Sequence, residues 1–262
     1  MVAVAGVWLF APYLALDLYV RAAFAESAAL AVVPVALLGT LYALERPGVI
    51  TVALGAGAVA LVVLAHNAVA LLFIPVLAVL SVARAIGSRS WRTLAAGAGA
   101  ISGGLGLSAI FWLPALLEKD YVKTDLLRTD FLNWTNHIIS PFQLLWSPWG
   151  FGYSVPGPND GMSFALGPGH LLLALAGAGV ALCAAHRLRR IDAAVFAATA
   201  LGGAWLATEW AWPVWAHVAT LQYMAYPWRT LFLPALAMPL LALYAFEWMG
   251  ARAAAWRCWR WW

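Results

Sequence analysis

The ionisable residues of this chain fall between long apolar stretches, and they sort by sign. About eight stretches are long enough, or nearly so, to cross a bilayer core of ~30 Å: residues 2–17, 27–44, 49–65, 68–83, 93–116, 168–185, 192–208 and 230–249. The connections between them alternate in character. One set holds Arg46, Arg84, Arg89, Arg92, Arg187, Arg189, Arg190, Arg252, Arg257 and Arg260, ten of the fifteen lysines and arginines. The other holds Asp17, Glu26, Glu118, Asp120, Asp125, Asp130, Asp160 and Glu209, eight of the eleven acids. Cytoplasmic loops are the ones enriched in Lys and Arg. The arginine-rich side is therefore expected inside, and the acidic, aromatic side outside.

Composition agrees with that reading. Hydrophobic residues make up 65% and charged residues 10%, against about 25% charged in a soluble domain. The fold class expected is all-α, a polytopic transmembrane bundle. Continuous apolar runs argue against a β-barrel, whose strands alternate. The formal charge of +4 does not point to nucleic acid, because the arginines lie at loop ends where topology explains them. Cys183 and Cys258 fall on the arginine-rich side, where a reducing compartment disfavours a disulfide. No metal-ligand spacing and no cofactor motif is present. Met1 runs into apolar residues without a basic segment, so no cleavable signal is expected. Heavy Ala and Arg usage fits a bacterial inner membrane protein, and an even span count puts both termini in the cytoplasm.

Residues 49–80 are apolar apart from His66, Asn67 and a few small residues. As a single helix they would extend about 48 Å, so a hairpin turning at His66-Asn67 is expected. Glu45-Arg46-Pro47-Gly48 reads as a turn. The 117–163 segment is too long for a plain connector and is expected to be an extracytoplasmic loop. It carries charges first, then aromatics and turn formers, Trp149 and Tyr153 among them. An interfacial aromatic belt is one account of these rings; a platform for a sugar or lipid headgroup is the other. The 250–262 tail, rich in Arg and Trp, reads as a cytoplasmic interface anchor.

Several outer-face segments carry a resemblance. They are Ala11 to Arg21 (APYLALDLYVR) with Phe24 and Glu26, the His66-Asn67 pair, Phe111 to Pro114 with Glu118, Trp149 to Ser154, Asp160 to Phe164, and Tyr226 to Arg229. Together they resemble bacterial membrane proteins of the 6-pyruvoyl-tetrahydropterin synthase-related domain family, over nearly the whole chain. The family name is not an activity here, because no zinc-binding histidine cluster is present. The architecture of that family is similar to GT-C glycosyltransferases, which move a sugar from a polyprenyl-phosphate carrier at the extracytoplasmic face. Full-length relatives have spans and an Asp/His loop ahead of the matched region. The resemblance thus implies a C-terminal portion lacking the upstream catalytic loop, completed by an upstream partner chain or segment.

On this reading Arg21 and Arg229 are candidates to clamp a lipid phosphate, since guanidinium groups fork onto phosphate oxygens. The competing account is snorkelling or pairing with Asp17 or Glu26. Those two acids are the weak catalytic candidates, as base or orienting group. His66 and Asn67 either form a polar turn or donate to a phosphate. Trp149, Tyr153 and Trp228 are candidates for sugar or lipid contact. Two other classes stay open: a non-catalytic membrane subunit, and a lipid or saccharide transporter or flippase. Transport is disfavoured because the span centres carry no charge.

Overall fold

A computed structural model describes residues 2–118, 121–123, 126, 128–184 and 186–259, without the side chains of 252–259. The loop charges Lys119, Asp120 and Asp125, residues 260–262, and the side chains of Arg252, Trp256, Arg257 and Cys258 lie outside the described residues. The described part is helical, with no strand; one isolated bridge joins Ile139 to Thr208.

All eight apolar stretches fall on helices. The first is broken: α1 (Val2–Leu9) is followed by α2 (Pro12–Ala15), which passes into a π-helical turn, Leu16–Val20, with a bend of 50° between the halves. Pro12 marks the bend, since its ring cannot continue the preceding helix. Next come α3 (Phe24–Glu45), α4 (Val49–Ala65) and α5 (Asn67–Ser88). A single extended residue, His66, separates α4 from α5. The end of α5 returns to the end of α3, where Arg84 donates to Glu45 at 2.9 Å. Helices α4 and α5 therefore form an antiparallel pair, turning at His66-Asn67.

The fifth stretch is also two helices, α6 (Trp91–Leu107) and α7 (Ala109–Leu117), bent by 69°. The cause is local. Ser108 Oγ donates to the Gly104 carbonyl at 2.8 Å, and the Trp112 indole takes the Leu105 carbonyl at 2.8 Å. Side chains that claim helix carbonyls bend the ladder. Helix α7 has no buried residue, so its apolar face is left to the surroundings.

The remaining long elements are α8 (Pro168–Leu182), α9 (Arg187–Ala207) and α12 (Phe232–Trp259), with short α10 (Trp212–His217) and α11 (Ala219–Gln222) in the connection between α9 and α12. Helix α12 packs between α8 and α9, while α3, α4 and α6 pack on one another. Its approach to α8 is close: a Cβ on Gly177 would lie 1.8 Å from the Leu241 carbonyl oxygen. Small residues let membrane helices pack at such distances.

Three helices, those containing 24–45, 67–88 and 227–251, are long and apolar enough to cross a membrane; counting each bent pair as one span raises this to five. Helices α4 and α8 are apolar but shorter. Helix α9 opens with Arg187, Arg189, Arg190 and Asp192, too many charges for a plain span.

The long segment after α7 has no α-helix among its described residues; its 3-10 turns include Asp130–Leu132, Trp134–Asn136 and Pro141–Leu144. It is pinned to the junction of α9 with the α9–α12 connection: Ile139 N–H donates to the Ala207 carbonyl at 3.1 Å, and Glu209 N–H to the Ile139 carbonyl at 3.0 Å.

Candidate functional site

Tyr13, Asp17 and Arg21 recur every fourth residue, a spacing that stacks side chains on one helical face. The π-turn, in which Arg21 N–H bonds the Leu16 carbonyl at 3.1 Å, carries that face to its end. Ala22 then adopts φ 51°, a left-handed conformation uncommon for a residue with a Cβ. The chain reverses there, and α3 starts two residues later with Glu26 in its first turn. An acid in the first turn meets the positive end of the helix dipole. The reversal brings Glu26 beside Arg21.

Both carboxylates are buried, Asp17 at 0% exposure and Glu26 at 1%. Asp17 pairs with Arg21 and accepts from Ser27 Oγ at 2.7 Å. Glu26 accepts from Tyr13 Oη at 2.7 Å on one oxygen. Its other oxygen lies 3.0 Å from Arg21 and 3.3 Å from Arg229 Nε. Those two ion pairs are close in distance but poorly aimed: neither Glu26 Oε2 nor Arg229 Nε makes a directed hydrogen bond. Two acids and two arginines thus balance in charge, the condition under which buried ions are tolerated. The arginine side chains are 10% and 21% exposed, so the cluster opens at Arg229.

Arg229 is delivered by a turn just ahead of α12. Ala225 has φ 61°, and a 3-10 turn with proline at its start, Pro227–Leu231, follows. Arg229 NH1 donates to the Met224 carbonyl at 2.8 Å, and its guanidinium lies 4.9 Å from the Tyr226 ring centroid. Trp228 points inward at 1% exposure. Arg21 sits on its face, 4.6 Å from the centroid, within cation–π range.

A polar chain ties this turn to the long segment between α7 and α8. The Trp228 indole N–H donates to Ser154 Oγ at 3.2 Å, Ser154 Oγ lies 3.1 Å from His137 Nδ1, and His137 Nε2 lies 2.6 Å from the Phe131 carbonyl. A carbonyl only accepts, so Nε2 carries the proton. Nδ1 then accepts from the Ser154 hydroxyl, which in turn accepts from Trp228. His137 is fully buried. Burial lowers its pKa below the ordinary 6.5, against the opposing pull of the Phe131 carbonyl and Asp160.

His66 reaches the cluster through its field. Its pKa is lowered, first by burial and then by Arg229 and Arg21, with Glu26 opposing. Nδ1 accepts from the Val69 N–H at 3.3 Å, capping α5, so the polar-turn role is present. Asn67 is exposed at the same turn; among the described residues no side-chain bond joins it to the cluster. Trp149 and Tyr153 are also set apart, 48% and 76% exposed on the long loop. Trp149 meets only the edge of Phe151, centroids 6.2 Å apart.

Sequence reasoning expected Asp17, Arg21, Glu26, His66, Asn67 and Arg229 to converge; Asp17, Arg21, Glu26 and Arg229 do meet, with Trp228 against Arg21 and His66 within reach of their charges, while Asn67 stays apart. It missed Tyr13, Ser27, Ser154 and His137. Tyr13 was legible, four residues before Asp17. Ser154 and His137 were not, because neither has a periodic relation to the residues it joins. Among the described residues no His, Cys, Asp and Glu group could hold a metal ion. Both acids are engaged as hydrogen-bond and ion-pair partners, so their chemistry here is to hold guanidinium groups in place. The chain matches no protein-family model, no curated protein and no solved structure.

Proposed function

We propose that this chain is the membrane-embedded part of a GT-C-like glycosyltransferase of the 6-pyruvoyl-tetrahydropterin synthase-related type, and that its share of the work is to hold the phosphate of a polyprenyl-phosphate sugar donor at the extracytoplasmic face of a bacterial inner membrane. The observation that carries this reading is the seating of Arg229. It is the most open member of a buried ionic cluster, its side chain 21% exposed, and Tyr226 lies against its guanidinium. The exposed part of that guanidinium gives an incoming phosphate oxygen a charged donor, while Nε stays buried against Glu26. Asp17, Glu26 and Tyr13 fix the two guanidinium groups, and His66, kept neutral by burial, adds an imidazole at the rim.

One observation favours a second reading, a non-catalytic membrane subunit. Both carboxylates of the cluster are buried and already paired, and a general base must reach the proton it takes. The two readings share the phosphate site and differ in transfer. The test is retention of polyprenyl phosphate by purified protein, with polyprenol as the uncharged control. A hydrogen bond to a charged group contributes about 1.5–3 kcal/mol, so Arg229→Ala should cut retention of the phosphate about tenfold or more and leave polyprenol unchanged. Equal losses for phosphate and polyprenol, or none, overturn the proposal. Sugar transfer by the chain in isolation would dismiss the subunit reading.

A further inference from the structure

At the opposite, arginine-rich end of the bundle, two cavities meet. The first is an apolar groove of about 810 Å³ between α4 and α6, running from Pro47 and Trp91 at one end to Gly106 and Leu107 at the other. The second is a polar pocket of about 400 Å³, lined by Glu45, Arg84, Ser88, Ser90 and Thr93. Pro47 and Arg92 line both. The pair therefore forms a single amphipathic site with Arg92 at the junction.

Its charge is not cancelled from within. Three acids belong to this end, and each is already taken: Glu45 and Asp192 by Arg84, and Glu247 by Arg189. Arg84 holds Asp192 with two nitrogens, at 2.8 and 2.7 Å. Arg92 is exposed and has no ion-pair partner among the described residues. It stands in the first turn of α6, where the helix dipole adds further positive character.

Nor is the groove a vacant helix-docking seat. Its small residues look like a Gly-xxx-Gly face, Gly99 and Gly103. Those two glycines are spent inside the chain: a Cβ on Gly99 would meet Val52 at 3.0 Å, and one on Gly103 would meet Ala56 at 3.0 Å. They set α6 against α4 and form the floor of the groove. From Arg92 to Gly106 the groove wall is about 21 Å long at 1.5 Å per residue, the scale of one lipid acyl chain.

We propose that this is a binding site for an anionic phospholipid, with an acyl chain in the α4/α6 groove and the phosphate headgroup at Arg92 and the Ser90 hydroxyl. The exposed Trp91 sits at headgroup level beside it, as interfacial tryptophans do. The inference rests on the chain being membrane-embedded and is independent of the Arg229 site.

The test is lipid retention by the full chain, delipidated in detergent and offered palmitoyl-oleoyl phosphatidylglycerol or the matching phosphatidylcholine, read by native mass spectrometry. One arginine near an anionic headgroup is worth about fivefold in binding, so phosphatidylglycerol should be retained about fivefold over phosphatidylcholine. Arg92→Ala should erase that preference, while Arg92→Lys keeps most of it. Ala95→Trp, which fills the groove from an exposed position, should lower both lipids. Gly106→Leu, at a site with no neighbour within 4 Å, gives the same readout should the tryptophan variant misfold. Equal retention of the two lipids by the unaltered chain overturns the proposal. So does a preference that survives Arg92→Ala. A dimer that Ala95→Trp breaks, with no lipid bound, would assign the groove to a second copy instead.

Discussion

Arg21 lies on the face of Trp228, guanidinium 4.6 Å from the ring centroid, although 207 positions separate them in the chain (228 − 21). The contact joins the π-turn after α2 to the turn ahead of α12. On its other edge the same indole reaches Ser154. Trp228 is thus the hub through which the ionic cluster and the long outer loop share one position.

Removing the hub should be costly in a graded way. Trp228→Ala is expected to destabilise by about 3–5 kcal/mol, as for other buried aromatic truncations. Trp228→Phe keeps a ring beneath Arg21 and loses the N–H, so about 1–2 kcal/mol is expected. Denaturant unfolding in micelles checks both values. A phenylalanine variant as unstable as the alanine variant would show that the Ser154 bond outweighs the ring.

Glu26→Gln should separate holding from binding. The carboxylate faces two arginines and Tyr13, and breaking a buried pair costs about 3–5 kcal/mol. Yet the variant frees positive charge beside Arg229. Stability is therefore expected to fall while polyprenyl-phosphate retention rises. Retention that falls with Glu26→Gln would mean that the acid orients Arg229 more than it competes with a ligand.

Acid should loosen the outer loop through His137. Its pKa in the fold lies below 6.5 because burial disfavours the charged imidazole. The unfolded chain then binds the proton first as the pH falls. This contribution to stability is complete above pH 6.5 and is lost as the pH drops from there through the lowered value. A proton on Nδ1 would also remove the acceptor of the Ser154 hydroxyl. His66 shifts in the same sense. Melting temperatures between pH 7.5 and about 5 should therefore fall for the unaltered chain, and less steeply for His137→Gln. Parallel curves for the two proteins would rule His137 out as a source of acid lability.

Orientation can be read chemically. With Cys183 and Cys258 replaced by serine, a cysteine at exposed Tyr153 should react with an impermeant maleimide from outside, and one at exposed Ser88 only after the membrane is opened. The reverse pattern would invert the proposed topology.

The eight helical stretches were legible in the sequence because an apolar run in a membrane has to satisfy its own backbone hydrogen bonds. The turn at His66-Asn67 followed from length alone. The spacing of Tyr13, Asp17 and Arg21, and the sign of the charges at each end, were also readable. Tertiary structure decided the rest. Whether Arg84 guards a loop end or bridges Glu45 and Asp192 depends on three helices meeting. The bends that reduce the simple spans come from the Pro12 ring, which cannot continue a helix, and from the Ser108 and Trp112 side chains, which claim helix carbonyls. Ser154 and His137 enter the site only because the long loop folds back onto the turn holding Trp228. Hydrophobic periodicity is a local property and reports each helix separately. Buried charges must find partners wherever the fold brings them, and those partners lie across the chain.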